Sequence, residues 1–136
     1  MNGPVSSSWS PYLLSIVRIV AAFGLITHGT QKLFGLPTVD PRVGVELMSR
    51  AGLAGTIETF GGALLLFGLF TRPVAFLCAG VMASAYFIAH APRNFWPILN
   101  GGELAAAYCF LFLYLAATGG GPLSIDAMMR GSSRRG

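Results

Sequence analysis

The sequence is poor in charge: 10% of its 136 residues are Asp, Glu, Lys or Arg, whereas 54% are hydrophobic and the mean hydropathy is +0.65. An ordinary soluble domain carries about a quarter charged residues, so this chain lacks the polar surface that water demands. The net charge of +4 is small, and most of the cations are spread singly along the chain, whereas a nucleic-acid-binding protein usually clusters them on one face. Long apolar runs also exclude a disordered chain. The composition therefore indicates a small integral membrane protein, in contact with the lipid bilayer and with no nucleic-acid partner.

Cysteine is also scarce. Cys78 and Cys109 are too far apart in sequence for a disulfide framework or a Cys-x-x-Cys redox motif. Two histidines are too few for a zinc site, and haem ligation by His28 and His90 is disfavoured because a second histidine pair and the usual attachment spacings are missing. No phosphate-binding loop, nucleophile motif or dinucleotide-binding glycine string occurs. The sequence therefore predicts no metal, and no cofactor is firmly predicted from composition and motifs.

Four apolar windows are about long enough to cross a bilayer, which takes about 20 residues. They cover residues 12–34, 50–70, 73–91 and 102–118. The predicted fold class is therefore all-α, a transmembrane bundle of four antiparallel helices. It forms one membrane domain over residues 1–126, followed by a polar, Arg-rich tail at 127–136 that we expect to be mobile. Residues 36–49 are expected to contain a helix lying at the membrane surface.

Four spans place both termini on the same side of the membrane. Cations are balanced at four on each side: Arg72, Arg130, Arg134 and Arg135 with the termini, and Lys32, Arg42, Arg50 and Arg93 opposite. We expect the termini in the cytoplasm, because the tail cations are exposed and acidic residues dilute the opposite loop.

Ionisable residues inside apolar spans are expensive and usually mark a pathway, a pair or a ligand site. Helical spacing predicts one polar or small face on each span, pointing into the bundle because lipid cannot satisfy polar groups. The four faces are Arg18, Ala21, Leu25, His28 and Lys32; Gly55, Glu58 and Gly62; Ala75, Ala79, Ala83, Tyr86 and His90; and Glu103, Ala107, Phe110 and Tyr114. The glycines of the second face are expected to let another helix approach closely.

Depth along the helices predicts that six polar side chains converge in one half of the bundle. They are His28, Gln31, Lys32, Glu58, His90 and Glu103. Residues near span ends also have a simpler interpretation, because Lys32 and Glu103 can reach the membrane surface. Glu58 is too deep for that and must be paired or protonated. Arg18 is expected to be structural, holding Tyr114, a backbone carbonyl or a lipid headgroup.

Several stretches resemble the DoxX family of small membrane proteins. They are Leu14–Arg18, the His-Gly-Thr-Gln-Lys-Leu-Phe-Gly run at 28–35, the Glu-Thr-Phe-Gly-Gly to Thr-Arg-Pro run at 58–73, Asn100–Leu104 and Gly121–Asp126. The resemblance covers about residues 13–126. It implies a four-helix protein of a bacterial or archaeal plasma membrane. Some relatives are the membrane subunit of a thiosulfate:quinone oxidoreductase, and others act in oxidative-stress complexes with a superoxide dismutase and a sulfurtransferase.

Together, residues and resemblance predict a quinone-handling membrane subunit coupled to a soluble oxidoreductase. His28 and Glu58 are the predicted catalytic pair, since both can hydrogen-bond a quinone and exchange its protons. Gln31, Lys32, His90 and Glu103 are predicted to contribute to quinone binding. Two alternatives stay open: a membrane adaptor that anchors soluble redox enzymes, with the polar cluster holding the bundle together, and a solute or proton conduit, which requires a homo-oligomer because four helices enclose little space.

Overall fold

The computed structural model describes residues 8–37 and 46–136, and all regular structure in those two ranges is helical. The elements are α1 (Ser10–Phe34), α2 (Arg50–Phe67), α3 (Thr71–Ala85), a π-helical turn (Tyr86–His90), α4 (Pro97–Asn100), α5 (Glu103–Thr118) and α6 (Ile125–Ser133). The all-α prediction is confirmed for this part of the chain. Most of the predicted surface helix over 36–49 lies outside the described residues, and residues 46–49 form a turn that leads into α2.

Within the described ranges, two helical segments are long and apolar enough to cross a membrane, by length and composition. They are Ser10–Phe34, with 25 residues, and Thr71–His90, with 20 residues. α5 is a shorter apolar helix. α2 is a continuous helix, but its glycines and Glu58 make its sequence less apolar. The arrangement of all four helices across a membrane stays a prediction.

The helices pack as two pairs, α1 on α2 and α3 on α5, and contacts between α2 and α3 join the pairs. Glycine permits the close approach of α1 and α2. A Cβ atom on Gly29 would lie 2.6 Å from the backbone nitrogen of Thr59, and one on Gly62 would lie 3.2 Å from the backbone nitrogen of Ile26. The prediction that the glycine face of the second span admits a neighbouring helix is confirmed.

The inward faces of α1, α2 and α3 agree with the spacing in the sequence. Arg18, Leu25, Glu58 and Ala75 are buried along these faces. The outer surface is strongly apolar instead; its large exposed side chains include Ile16, Val20, Phe23, Phe60, Phe76 and Leu77. Polar and small residues inside and large apolar residues outside are the distribution that a lipid environment favours.

The predicted inward face of α5 is wrong. Phe110 and Tyr114 are 72% and 59% exposed, whereas Phe112 and Leu115 are fully buried. α5 is apolar on nearly every side, so lipid accommodates either side equally well and polarity does not select the side that is buried. Packing against α3, rather than periodicity in α5 itself, therefore selects the buried face.

The C-terminal segment contains a helix, α6, which takes in most of the polar tail; the mobility expected for that tail stays a prediction. Ser124 precedes α6, and its hydroxyl oxygen accepts a hydrogen bond from the backbone N–H of Ala127 at 3.2 Å. A serine in this position satisfies one of the free N–H groups at a helix start. The polar composition of the tail thus belongs to a surface helix that is anchored at its beginning.

Candidate ligand site at one end of the helical bundle

A cavity of about 160 Å³ lies at the end of the bundle where α1 ends and α5 begins. Four of the six predicted site residues line it: His28, Lys32, Glu58 and His90. The remaining lining residues are Met82, Ala85, Gly101, Leu104, Ala105 and Tyr108. Two helices, α1 and α2, and the π-helical turn therefore bring one carboxylate, one ammonium and two imidazoles to a single small space.

An ion pair between Lys32 and Glu58 forms part of the cavity wall. The Lys32 Nζ atom lies 2.6 Å from Oε1 and 2.8 Å from Oε2 of Glu58, and the two side chains are 33% and 1% exposed. Gly55 makes this geometry accessible, because a Cβ atom there would lie 3.0 Å from the Lys32 Cβ. A carboxylate buried to this degree is expensive unless it is paired, so Lys32 compensates the charge of Glu58.

His28 lies one helical turn before Lys32 and faces the same cavity. Its ring meets Tyr108 edge to face, with centroids 6.4 Å apart and an interplanar angle of 88°. In the part of the chain that the structure describes, no hydrogen bond to either ring nitrogen of His28 is formed. Both nitrogens are therefore available to a ligand.

A hydrogen-bond network fixes His90 at the cavity. His90 ends the π-helical turn, and its Nδ1 lies 3.0 Å from the carbonyl oxygen of Asn100. A carbonyl oxygen only accepts, so Nδ1 carries the proton, and Nε2 of the neutral ring is an acceptor. The Asn100 amide in turn donates to the Tyr86 hydroxyl at 3.3 Å, and its Oδ1 accepts from the Gly102 N–H at 2.7 Å. The loop before α5 is thus tied to the turn after α3.

Gln31 and Glu103 are exposed and do not line the cavity. The Gln31 amide donates to the Pro37 carbonyl oxygen at 3.2 Å. Glu103 is the first residue of α5, where a carboxylate interacts favourably with the helix dipole. The structure therefore does not bring these two residues to the other four.

Sequence reasoning missed Tyr108 as a cavity residue. Its neighbours on the same face of α5 are Phe112 and Leu115, which are buried. The three positions are spaced i, i+4 and i+7, a helical stripe that the sequence contains. The sequence also contains a second stripe, which begins at Glu103 and which the pattern of charges favours as the inward face. Glu103 is charged because it lies at the start of the helix, not because it faces inward.

The opposite end of the bundle is built around Arg18, which is 1% exposed. Its guanidinium group donates to the carbonyl oxygens of Gly120 and of Leu123, the latter at 2.8 Å, with a longer contact of 3.5 Å to that of Leu66. Of the three partners expected for Arg18, the structure shows backbone carbonyls, whereas Tyr114 points outward. Arg18 lines neither this cavity nor the second one described below.

Asp126 holds the turn between α2 and α3. Its carboxylate accepts hydrogen bonds from the backbone N–H groups of Phe70 and Thr71, each at 2.9 Å. Phe70 has a positive φ of 50°, a conformation that costs free energy for a residue other than glycine. Partial burial raises the pKa of the Asp126 carboxyl, but these N–H donors and the Arg130 charge outweigh it and hold that pKa below its usual range.

Comparison with known proteins identifies relatives of the chain. The DoxX family model matches residues 13–91, which include His28, Lys32, Glu58 and His90. A protein of Haemophilus influenzae that is named only as uncharacterized is 42% identical over 125 residues, which are 87% of this chain and 91% of that protein. No solved structure matches the chain.

Proposed function

Because the chain belongs to the DoxX family and is a membrane protein, we propose that it is the membrane subunit of a redox system and binds a quinone headgroup in the cavity at His28 and Glu58. In this proposal α1, α2, α3 and α5 cross the plasma membrane of a bacterium or archaeon, with both termini in the cytoplasm. The observation that carries the proposal is the convergence of His28, Lys32, Glu58 and His90 on one cavity inside an apolar bundle.

The size of the cavity limits what it can hold. Its volume of about 160 Å³ is smaller than that of ordinary small-molecule pockets, which reach about 300–1,000 Å³. A single ring with small substituents fits the space, but a long side chain does not. Leu104 lines the cavity and is also 48% exposed. A quinone headgroup therefore enters beside Leu104, and its hydrocarbon tail stays in the lipid.

The side chains around the cavity suit this ligand. A bound quinone supplies two carbonyl oxygens, which become hydroxyl groups when two electrons and two protons are added. Lys32 Nζ can donate a hydrogen bond to one carbonyl, and His28 can donate to the other and deliver its proton. The second proton comes from water through Glu58, whose carboxylate takes it up and passes it to the other quinone oxygen, while Lys32 holds that carboxylate in place. His28 regains its proton from water in the same way. His90, fixed through Nδ1, can accept a hydrogen bond at Nε2 from a hydroxyl group of the reduced ring.

The electrons are assigned to a soluble partner. The sequence contains no motif for a flavin, an iron–sulfur cluster or a nicotinamide, so the chain is at most the membrane subunit of a quinone-linked oxidoreductase. The family resemblance points to thiosulfate or oxidative-stress chemistry. A soluble oxidoreductase, a sulfurtransferase or a superoxide dismutase is the corresponding class of partner.

The decisive experiment is purification of the full chain from native membranes in mild detergent, followed by extraction of quinone and identification of bound proteins. We expect near-stoichiometric quinone in the wild type and in Glu103→Gln, which removes an exposed carboxylate outside the cavity. We expect at least tenfold less quinone in His28→Asn and Glu58→Gln. If Glu58→Gln keeps its quinone and its quinol-linked activity, the assignment is wrong.

A membrane adaptor is the second candidate, and the Lys32–Glu58 ion pair is the observation that favours it. The pair satisfies the buried carboxylate without any ligand. Holding α1 against α2 is therefore sufficient to explain it. If the protein is an adaptor, a soluble redox enzyme co-purifies with it and quinone does not. Glu58→Gln then lowers the stability of the fold and changes no chemical activity. A conduit gains no support, because Ala22 and Leu25 are fully buried on the stretch of α1 between Arg18 and His28.

A further inference from the structure

A second cavity, of about 390 Å³, lies at the opposite end of the bundle, where the start of α3 meets α6. Arg72 and Arg130 line it from the two helices, and Phe70, Pro73 and Met129 add apolar surface. Among the described residues, neither arginine forms an ion pair. Two cationic side chains thus border one open space, and the nearby Asp126 acts on Arg130 only at longer range than an ion pair.

The single carboxylate in the cavity wall is already engaged. Asp126 accepts hydrogen bonds from the backbone N–H groups of Phe70 and Thr71. It is outnumbered by Arg72 and Arg130, and Arg134 and Arg135 follow at the end of α6. The cavity and its surroundings therefore carry excess positive charge, which attracts an anion.

The cavity lies at the end of an apolar helix, and this position indicates which class of anion it can bind. The segment Thr71–His90 is long and apolar enough to cross a membrane, so Arg72, at its first turn, lies where that segment reaches the membrane surface. α6 places Met128 and Met129, which are 73% and 54% exposed, beside its polar residues. A helix with exposed apolar and basic residues suits the boundary between lipid headgroups and acyl chains.

We propose that this cavity binds the phosphate group of an anionic phospholipid, with Arg72 and Arg130 as the recognising side chains. The guanidinium group presents a planar set of N–H donors that matches phosphate oxygens. Basic pockets beside membrane helices hold anionic headgroups on the cytoplasmic side, which is the side assigned here to the termini. Phe70, Pro73 and Met129 lie where the glycerol backbone and the first acyl carbons contact the protein.

The proposal is tested with the full chain in nanodiscs of phosphatidylcholine, with and without phosphatidylglycerol, by counting the lipids that stay bound in native mass spectrometry. We expect the wild type to retain phosphatidylglycerol in preference to phosphatidylcholine. Arg72→Gln and Arg130→Gln should each weaken retention about fivefold. Arg93→Gln, an exposed arginine outside this cavity, is the matched control and should change nothing. Equal retention in all variants overturns the proposal.

A second arm separates a lipid headgroup from free phosphate, since both offer the same oxygens. Inorganic phosphate is titrated into protein in phosphatidylcholine nanodiscs, and the midpoint of thermal unfolding is followed. If phosphate raises that midpoint through Arg72 and Arg130 while phosphatidylglycerol is not preferred, the site binds free anions and the lipid proposal is wrong. If phosphatidylglycerol is preferred in the first arm, the lipid proposal holds whatever the size of the shift that free phosphate causes. Arg130→Gln, on the exposed side of α6, keeps the test valid if Arg72→Gln does not fold.

Discussion

Arg18 and Glu58 are equally buried, each 1% exposed, but different kinds of groups compensate their charges at the two ends of the bundle. Arg18 is surrounded by backbone: the carbonyl oxygens of Gly120 and Leu123 accept its hydrogen bonds. Glu58 meets the flexible side chain of Lys32, which is one-third exposed, and borders a cavity. A charge held by backbone carbonyls has one geometry. A charge paired with a long, partly exposed side chain beside a cavity has room to change its partner when a ligand binds.

The backbone packs tightly against the guanidinium group of Arg18. A Cβ atom on Gly120 would lie 2.9 Å from a terminal guanidinium nitrogen of Arg18, and one on Gly68 would lie 3.0 Å from the same atom. Ser15 adds to the same loop, since its hydroxyl donates to the Gly120 carbonyl oxygen and accepts from the Leu123 N–H. We therefore interpret Arg18 as the structural charge and Glu58 as the functional one.

The largest expected effect comes from removing the structural charge. Arg18→Ala removes the guanidinium donor from the carbonyl oxygens of Gly120 and Leu123, so that only the Ser15 hydroxyl still donates to Gly120. It also empties the space of a large buried side chain, and we therefore expect a loss of about 3 kcal/mol or more in the free energy of unfolding. The measurement is an unfolding titration with dodecyl sulfate in mild detergent. Arg93→Ala, at an exposed arginine, should stay within about 0.5 kcal/mol of the wild type. Similar losses in the two variants would remove the distinction drawn for Arg18.

A double-mutant cycle on the other pair separates structure from chemistry. Lys32→Met leaves the Glu58 carboxylate buried without its partner, and we expect a loss of about 2 kcal/mol, less than for a fully buried pair because Lys32 is partly exposed. Adding Glu58→Gln removes the unpaired charge, so the double variant should recover at least half of that loss.

Quinone content of the same four proteins then decides between the two proposed functions. If the pair only holds α1 against α2, quinone is absent from all four proteins while stability follows the cycle. If the pair forms the quinone site, the wild type contains quinone and the stable double variant does not. A double variant that is stable and still contains quinone contradicts the role assigned to Glu58.

The inward faces of the first three helices could be predicted because polar and apolar residues differ strongly along them. On α1, the spacing of Arg18, His28 and Lys32 leaves one orientation that hides all three from lipid. The same logic failed on α5, where nearly all residues are apolar and Phe112 and Phe110 suit burial equally well. A hydrophobic pattern identifies a face only when the other face is different.

The partners of the charges could be predicted only in part. Depth along the helices predicts Lys32 and Glu58 in one cluster, but it does not identify Lys32 as the partner of Glu58, which the structure shows. Arg18, by contrast, binds carbonyl oxygens of Gly120 and Leu123, more than 100 residues away, in a loop whose composition indicates only a break in the helix. Backbone carbonyls carry no signature in the sequence, so such contacts become visible only in the structure.

The smallest expected effect tests whether the Arg18 end depends on fixed backbone contacts in its C-terminal segment too. Asp126→Asn keeps one acceptor oxygen for the N–H groups of Phe70 and Thr71 but loses the negative charge, so we expect a loss of about 1 kcal/mol at neutral pH. The pKa of Asp126 is lowered in the folded protein by those N–H donors and Arg130, after burial has opposed them. A lowered folded-state pKa gives stability that is fully present above the unfolded value of about 3.9 and is lost as the pH falls through the folded value.

The difference between wild type and Asp126→Asn should therefore be constant from pH 7 to about pH 5 and shrink as the solution becomes more acidic. The other carboxylates titrate in both proteins, so the difference isolates Asp126. Thermal unfolding midpoints in detergent at several pH values measure it. A difference that persists unchanged at the lowest pH would mean that the shape of the Asp126 side chain, rather than its charge, holds the turn. The Arg18 end would then depend on packing alone in this segment, and its contrast with the Glu58 end would rest on Arg18 itself.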